Sequence, residues 1–381
     1  MFALLVGRAS AGFAAELPPR HEVWLQRGVE FADWTAVGAL VDAGARIDLR
    51  APLVGRDESG RYHGGEYLAA TLTGPANQLA EPFDEAIVSW NAETPPGTWI
   101  EARLRALVGD RWTKEYVLGV WSLDPVGALR RQSVADQGDP DGDVDTDTLK
   151  LRRPAAGYQV SFTLFSADPT VTPTLRLAAV TVTRRAVQPE PPPAGLAWGI
   201  ERPVPPRSQL IYPGGGAVWC SPTSTKMVLE YWAGLIGDER LLVSVPEAAA
   251  RTYDLVYDGN GNWPFNTAYA GAFGLEAYVA RFSSLAELEP WIAAGVPVVA
   301  SYAWRPGELT DAPIRSASGH LSVIRGFDAA GDVIVNDPAA PSDGAVRRVY
   351  RRAEFERVWQ RSSNGTVYLI YPPGWPVPRL R

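Results

Sequence analysis

A proline-rich stretch near the middle of the chain separates two regions of different character. Residues 184–207 read RRAVQPEPPPAGLAWGIERPVPPR. Proline has no backbone N–H and fixes φ, so this density of prolines excludes a helix or an interior strand and favours an extended linker. We therefore predict a domain at 20–185, a linker at 186–207 and a second domain at 208–381.

The first region alternates apolar and polar side chains in the manner of β-strands. Turn residues such as those of Thr94-Pro-Pro-Gly97 separate the alternating segments. Such segments occur at 85–90, 99–105, 116–121, 158–165 and 175–182. Short strands divided by Gly and Pro turns predict an all-β domain of the β-sandwich or jelly-roll type.

Four tryptophans of this region allow two interpretations. Trp90, Trp99, Trp112 and Trp121 either line a platform for a glycan or cell-surface ligand or belong to the core and its turns. The sequence favours the core.

The acidic stretch Asp139–Asp147 also allows two interpretations. Against the EF-hand pattern, Val144 stands where the glycine of the sharp turn belongs, and Lys150 stands where the bidentate glutamate belongs. We expect a solvated loop between strands, with an irregular calcium site as the alternative.

The second region begins with a helix and continues mainly with strands. Helices are predicted at 221–232, 284–294 and 352–360, and strands at 298–302, 320–327, 333–336, 346–350 and 367–371. This pattern predicts an α+β domain.

Charge and hydropathy exclude two classes of partner. The net charge is −7 and no basic run is long enough to form a stripe, so nucleic-acid binding is not expected. Apolar stretches such as 288–303 are interrupted by Pro and Glu, so no transmembrane helix is expected. Residues 1–19 are interpreted as a disordered tail or a vestigial export signal interrupted by Arg8, which leaves cytoplasmic and exported locations both open.

The single cysteine, Cys220, stands where the helix beginning at Ser221 would start. The unpaired N–H groups and the dipole at a helix N-terminus stabilise a thiolate, and a nearby imidazolium adds to this. Of the three histidines, only His320 lies in the same region, at the start of a predicted core strand. An inert buried thiol and a structural histidine are the alternatives for each residue taken alone. Together the two residues predict a nucleophile and its base.

A third group is needed to orient the histidine, and two neighbours qualify. Asn336 and Asp337 end the strand that follows His320. Adjacent strand residues point to opposite faces, so only one can reach the imidazole, and we favour Asp337. An oxyanion formed during acyl transfer needs hydrogen-bond donors. The backbone N–H of Cys220 is one candidate, and the side chain of Gln209, upstream in the sequence, is the other; the alternative is that Gln209 is a surface residue.

These residues carry a resemblance to a known family. The segments Trp219-Cys-Ser-Pro-Thr-Ser-Thr-Lys-Met227, Gly319-His-Leu-Ser-Val-Ile-Arg-Gly-Phe327 and Val335-Asn-Asp-Pro-Ala339 resemble family thirty-nine of the cysteine peptidases, which is named for the bacteriocin-processing, double-glycine leader peptidases. The match is best with stand-alone bacterial members and covers about residues 200–375. The resemblance implies a papain-like fold, with the family's Cys, His, Asp and Gln at Cys220, His320, Asp337 and Gln209.

Two departures from the family pattern concern the site. Gln209 lies farther from the cysteine than in the leader-processing enzymes, and Trp219 stands where an acidic residue often precedes the cysteine.

We expect a thiol-dependent hydrolase of a peptide or related amide that needs no metal or cofactor. Trp219, Trp263 and Phe265 are candidate cleft residues, the last two in an aromatic loop at 261–266 whose other interpretation is hydrophobic packing. The alternatives are an acyl or amide transferase, and a non-catalytic protein that binds glycan or protein through its β-domain and uses the papain-like half as a scaffold.

Overall fold

The structure is a computed structural model that describes residues 19–380. It is mostly β-sheet, with one sheet of 13 strands and one of six. The larger sheet contains β1 to β13; the ladders between these strands are antiparallel, and most of them join strands that are not consecutive in the chain. Its strands are β1 (His21–Arg27), β2 (Thr35–Val37), β3 (Ala39–Val41), β4 (Ala45–Ile47), β5 (Leu53–Arg56), β6 (Glu66–Thr73), β7 (Asn77–Glu93), β8 (Thr98–Val108), β9 (Arg111–Trp112), β10 (Tyr116–Trp121), β11 (Gly142–Asp145), β12 (Thr148–Ser166) and β13 (Thr174–Thr183).

The larger sheet folds over on itself, so that its two arms face each other. Trp90 of β7 pairs with Ala178 of β13, whereas Phe162 of β12 pairs with Ala102 of β8. The rings of Trp90 and Phe162 nevertheless meet edge to face, 6.4 Å apart. The sequence predicts two separate layers; in the structure the long strands β7 and β12 join the layers into one continuous sheet.

The second half contains five helices around the six-stranded sheet. The elements are α1 (Cys220–Ile236), α2 (Val245–Thr252), α3 (Trp263–Gly271), β14 (Glu276–Arg281), α4 (Leu285–Ala293), β15 (Val298–Trp304), β16 (Ala317–Phe327), β17 (Val333–Asn336), β18 (Arg347–Tyr350), α5 (Arg352–Ser363) and β19 (Thr366–Tyr371). The antiparallel sheet has the order β14-β19-β15-β16-β17-β18.

The sheet supports the helices in a defined order. Helix α1 packs on β15 and β16, and α3 packs on β14 and β19. Ser224 in the second turn of α1 donates to the Leu321 carbonyl of β16 at 3.1 Å, and near its other end Trp232 donates to the Ile370 carbonyl of β19 at 2.8 Å. These bonds fix the direction of α1 across the sheet and therefore the position of Cys220 at its start.

The proline-rich segment has no regular secondary structure, but only its first part is exposed chain. Residues 190–196 are exposed, whereas Ala197 and Val204 are buried. The Arg202 N–H donates to the Arg325 carbonyl at 2.7 Å, and the Phe327 N–H donates to the Ile200 carbonyl at 2.9 Å. A Cβ at Gly326 would lie 2.2 Å from that Ile200 oxygen, so the close approach requires glycine. The part of the predicted linker from residue 197 onward thus packs on the second half, where Trp198 and Glu201 form bridges to Phe327 and Gly326 of β16.

Three of the four tryptophans considered for a glycan platform lie in the core. Trp90, Trp99 and Trp121 are fully buried. Trp112 is half-buried, and the Arg105 guanidinium stacks over its ring at 4.8 Å. The platform interpretation is therefore wrong for this set, because buried rings cannot stack on a sugar.

The acidic stretch forms the β11–β12 hairpin. The Asp139 carboxylate accepts hydrogen bonds from the Asp141 and Gly142 N–H groups at 2.9 and 3.0 Å and from the Tyr116 hydroxyl at 2.6 Å. Between residues 19 and 380, no group of three or more His, Cys, Asp or Glu side chains is arranged to hold a metal ion.

Residues 261–266 do not form the aromatic loop that the sequence suggests. The Asn262 side chain accepts the Phe265 N–H at 3.2 Å, and α3 begins at Trp263 with Pro264 in its first turn. Asparagine as N-cap and proline in the first turn are the usual start of a helix. This short helix turns Phe265 inward, so hydrophobic packing, the other interpretation of this segment, holds for Phe265, whereas Trp263 is half-buried.

Buried polar contacts join the two halves. Glu85 of β7 pairs with Arg281 of β14 at 2.6 Å, with both side chains almost fully buried. Asn91 of β7 exchanges two hydrogen bonds with the backbone of Ala277, at 2.6 and 3.1 Å. Such contacts hold the β-domain against the strand at the edge of the smaller sheet.

None of the helices between residues 19 and 380 combines the length and apolar character that a membrane span requires. The segment interpreted as a tail or an export signal lies outside the described residues, apart from residue 19.

Candidate active site

The candidate site is centred on Cys220, the first residue of α1. The thiol is half-buried, and it is free. The position before it, Trp219, precedes the helix without a side-chain cap, so the first N–H groups of α1 remain available near the sulfur. A negative charge on the sulfur would therefore be stabilised by the N-terminal end of the helix.

His320 lies on β16, beneath the start of α1. Its Nε2 atom is 2.8 Å from Oδ1 of Asp337, which leaves Nδ1 for the thiol. Two aromatic rings hold the imidazole edge to face: Tyr302 at 5.5 Å and Trp304 at 5.4 Å between ring centroids. The ring is only 3% exposed, and its orientation is thus set by packing as well as by hydrogen bonding.

Neighbouring groups decide the charge of His320. Burial lowers the pKa of the imidazole, but the Asp337 carboxylate and its hydrogen bond, together with a hydrogen bond to Cys220, raise that pKa to about 10. The Cys220 side chain is therefore close enough to the ring to raise the pKa of His320. The arrangement favours an imidazolium, which is the partner that stabilises a thiolate.

Asp337 follows β17 and is completely buried. Besides His320, its carboxylate accepts hydrogen bonds from the Tyr350 hydroxyl at 2.6 Å, the Tyr302 hydroxyl at 3.3 Å and the Ala339 N–H at 2.9 Å. Burial acts to raise the pKa of Asp337, but His320, the Tyr350 hydroxyl and the Ala339 N–H hold that pKa below its usual value. The carboxylate is thus kept charged in a dry environment.

Asn336, the other sequence candidate, points to the opposite side. Its amide oxygen accepts from Arg325 at 2.9 Å, and its amide nitrogen donates to the Val204 carbonyl at 3.0 Å. It therefore ties the start of the second half to β16 and takes no part in the contact with His320.

Gln209 lies between the Asp337 region and the start of α1. Its backbone N–H donates to the Pro338 carbonyl at 2.9 Å. A Cβ at Gly216 would lie 2.0 Å from the Gln209 carbonyl oxygen, so glycine lets these two chain segments touch. Gln209 is 3% exposed, and its Oε1 atom is buried with no hydrogen-bond partner among the described residues. The chain between Gln209 and Cys220 turns back on itself, with the Tyr212 N–H donating to the Gln209 carbonyl at 3.4 Å and the Gly216 N–H donating to the Tyr212 carbonyl at 3.0 Å.

The three candidate cleft aromatics have different environments. Trp219 is half-buried, and its ring lies 6.3 Å from that of Tyr212. Trp263 is also half-buried. Phe265 is fully buried between Trp90 and Trp121, at 6.2 and 5.4 Å between ring centroids, so its assignment to the cleft is wrong.

Sequence inspection missed the two tyrosines that bind Asp337. Tyr302 stands directly opposite His320 in the β15–β16 ladder, and Tyr350 ends β18 opposite Val333. The strands themselves were predicted, but their order in the sheet was not, and only the sheet order brings both hydroxyls to one carboxylate.

Two family models match the chain, one for each half. Residues 22–183 match the Peptidase C39 N-terminal domain, and residues 201–367 match the Peptidase C39 like family. The chain belongs to the peptidase C39 family. At family level it is a peptidase-type hydrolase, and the resemblance stated from its Cys and His segments is confirmed.

Solved structures give weaker matches. A protein from Bacillus anthracis described as a C39-like peptidase is 20% identical, with a TM-score of 0.33 over 48% of this chain and 98% of its own. A xylanase 10B fragment from Clostridium thermocellum, complexed with xylohexaose, is 12% identical, with a TM-score of 0.21 over 47% of this chain and 30% of its own. Scores this low carry no argument about fold or ligand. The search of curated proteins gave no match.

Proposed function

We propose that this C39-family chain is a cysteine peptidase whose second half has a papain-like fold and uses Cys220, His320 and Asp337 as its catalytic triad. The single observation that carries the proposal is the position of His320, with Nε2 bonded to Asp337 and Cys220 close enough to raise the pKa of the ring. This is the constellation in which a base activates a nucleophile while a buried carboxylate orients the base.

The domain division is part of the same proposal. The β-domain occupies residues 20–185, and the exposed chain to about residue 196 joins it to the peptidase domain. We place the start of the peptidase domain near residue 197, because the following segment is already hydrogen-bonded to β16 and β17.

In the proposed reaction, Nδ1 of His320 takes the proton of the thiol, and the sulfur attacks the carbonyl carbon of a peptide bond. The tetrahedral intermediate collapses when the C–N bond breaks and His320 gives its proton to the leaving amine. Water then attacks the thioester carbon and gives a proton to His320. The C–S bond then breaks, His320 returns its proton to the cysteine sulfur, and the acid product leaves and gives its own proton to solvent. Asp337 stays ionised throughout and stabilises the imidazolium.

We propose that the oxyanion is held by the Cys220 N–H and the side-chain amide of Gln209. No intrahelical acceptor is available for the first N–H groups of a helix, so the Cys220 N–H can serve the substrate. In this role the donor is the amide N–H of Gln209; its Oε1 atom is buried without a partner among the described residues, so no hydrogen bond to that oxygen holds the amide in another orientation.

The test combines alkylation with turnover. Iodoacetamide is expected to modify native Cys220 rapidly and with a pH dependence that disappears in His320→Ala, because the imidazole then no longer accepts the proton. A diverse peptide library incubated with the wild type and with Cys220→Ala is expected to give cleavage products with the wild type alone. A thiol that reacts only after denaturation, together with an uncleaved library, would instead indicate a non-catalytic scaffold.

A further inference from the structure

A loop with exposed apolar side chains lies beside the start of α1. Residues 254–259, here called the Tyr257 loop, connect α2 to α3 and are closed by a bridge between Asp254 and Gly259. Its apolar side chains are exposed, with Tyr257 at 49%. Apolar side chains exposed together on a protein surface commonly mark a contact site.

The contact between α1 and α3 places this loop near the nucleophile. Thr225, in the second turn of α1, lies 3.4 Å from Asn266, in the first turn of α3. The N-terminal ends of the two helices are therefore neighbours, and the Tyr257 loop leads into one of them. Consistent with this, the pKa of Tyr257 is raised by burial and by the charge of the nearby Cys220.

The sheet order shows that the site has two sides. Helix α1 lies over β15 and β16, α3 lies over β14 and β19, and Gln209 is bonded to Pro338 just after β17. Along the sheet, Cys220 therefore stands between the Gln209 segment and the Tyr257 loop. The Gln209 segment also exposes apolar side chains, with Ile211 at 49% and Val218 at 64%.

The β-domain holds the Tyr257 loop in place through one buried carboxylate. Asp254 is fully buried, and its Oδ1 atom accepts the Ser133 N–H at 2.9 Å, the Val256 N–H at 3.1 Å and the Tyr257 N–H at 3.2 Å. Its Oδ2 atom accepts the Asn262 amide at 2.8 Å, immediately before α3. One side chain thus joins the β-domain, the loop and the cap of α3.

Two further contacts from the β-domain reach the same segment. The Leu255 N–H donates to the Arg131 carbonyl at 3.1 Å, and the Arg131 guanidinium donates to the Tyr253 carbonyl at 3.2 Å. Asp147 at the tip of the β11–β12 hairpin accepts the Trp263 N–H at 2.7 Å. Both ends of the segment between α2 and α3 are therefore anchored to the first half of the chain.

We propose that the β-domain positions the Tyr257 loop as one wall of the peptidase cleft, where it receives an apolar side chain of the peptide next to the scissile bond. This inference rests on the proposed function, because it takes Cys220 as the centre of the cleft. Tyr257 is the specificity-determining residue of the wall, and Asp254 is a positioning residue that acts through the loop.

The test uses two alkylating probes on the full chain. Iodoacetamide reports the reactivity of the Cys220 thiol, and N-benzyl iodoacetamide adds an apolar ring that the wall would bind. With either probe the sulfur forms a bond to carbon and iodide leaves. In the wild type the benzyl probe is expected to react faster than iodoacetamide. Tyr257→Ala is expected to lower the ratio of the two rates about fivefold, since an aromatic contact of this kind contributes at about that level.

A matched control comes from the C-terminal end of α1, the helix that begins at Cys220. Leu235 is 51% exposed and lies about 22 Å along α1 from Cys220. Leu235→Ala removes an equally exposed apolar side chain and is expected to leave the ratio unchanged. If the ratio of the two rates in Tyr257→Ala equals that of the wild type, the proposal that the Tyr257 loop forms a wall of the cleft is wrong.

The positioning role is tested by Asp254→Asn and Ser133→Ala. Asp254→Asn leaves a donor facing the Asn262 amide and is expected to lower the ratio as Tyr257→Ala does, with the iodoacetamide rate unchanged. Ser133→Ala removes only the Oγ bond of 3.2 Å, and its expected effect is about twofold; it decides the matter if Asp254→Asn does not fold. Ratios unchanged in the folded variants overturn the positioning role. Failure of the proposed function is recognised separately, by iodoacetamide labelling that does not depend on His320.

Discussion

Each sheet of this protein buries one histidine near the start of a strand, and the two have opposite electrostatic environments. His21 on β1 lies 3.1 Å from the Thr183 hydroxyl, and its Nε2 atom is buried without a partner. Burial and the nearby Arg281, Arg20 and Arg184 set its pKa well below the usual value. His320 contacts a carboxylate and a thiol, and its pKa is raised. Burial alone therefore does not mark a reactive histidine; the sign of the neighbouring charge does.

The largest difference between the two histidines is expected when each imidazole is removed in turn. His320→Ala is expected to lower peptide cleavage by at least about 10³-fold, since the thiol loses its base, while His21→Ala is expected to retain activity in the folded protein. Initial rates on a peptide cleaved by the wild type provide the measurement, with circular dichroism as the control for folding. Equal losses in both variants would remove the distinction.

The carboxylate beside His320 is the next element to test. Asp337→Asn preserves the size of the side chain but removes the charge, so the pKa of His320 is expected to fall and cleavage to slow by about 10²- to 10³-fold. The pKa is followed by NMR titration of the ring protons. A His320 pKa that does not move in this variant would contradict the assigned source of the shift.

The pH dependence of stability is expected to have opposite signs for the two histidines. For His320, whose folded pKa is about 10 and whose usual value is 6.5, the stabilisation is fully present below 6.5 and is lost as pH rises toward 10. For His21, the folded pKa lies well below the usual value of 6.5. Its stabilisation is therefore fully present above pH 6.5 and is lost as pH falls from 6.5 toward the folded pKa. Urea unfolding of His320→Gln and His21→Gln across this range, each compared with the wild type, measures both. The prediction is contradicted if the stabilisation from both histidines changes in the same direction as pH rises.

The smallest effect is expected from the tyrosine that supports the carboxylate. Tyr350→Phe removes the 2.6 Å hydrogen bond to Asp337 but leaves His320 in place. We expect a loss of about 1–3 kcal/mol in the free energy of unfolding and a modest decrease in kcat, because one donor to a buried charge is lost. Thermal unfolding measures the first quantity. No change in stability would indicate that Tyr302 and Ala339 satisfy the carboxylate by themselves.

Local patterns in the sequence predict much of this arrangement. The alternation of a strand correctly separates Asp337, which faces His320, from Asn336, which faces Arg325. The start of α1 at Cys220 follows from the helical pattern after it and Pro222 in its first turn. Each of these inferences needs only residues a few positions apart, so the sequence contains the information directly.

Features formed between distant segments could not be predicted in this way. Asp254 and Ser133 are separated by 121 positions, and Arg281 and Glu85 by 196. Neither pair has a local signature, because each depends on how the β-domain and the second sheet pack. Phe265 was misassigned for a related reason: its short helix was missed, and the β-domain residues that cover its ring lie far away in the chain.

The buried Glu289 has a consequence for how the chain could be re-engineered. Its carboxylate accepts the Gly195 N–H at 2.7 Å and the Trp198 indole at 3.2 Å, so the incoming chain is fastened at that point. Upstream of this anchor, residues 190–194 are exposed and contribute no buried side chain. Residues inserted there would change only the length of the exposed connection between the two halves. Doubling the length of such a connection costs about 0.6 kcal/mol in loop-closure entropy. A purification tag or a protease site placed between 190 and 194 should therefore leave the folded halves together.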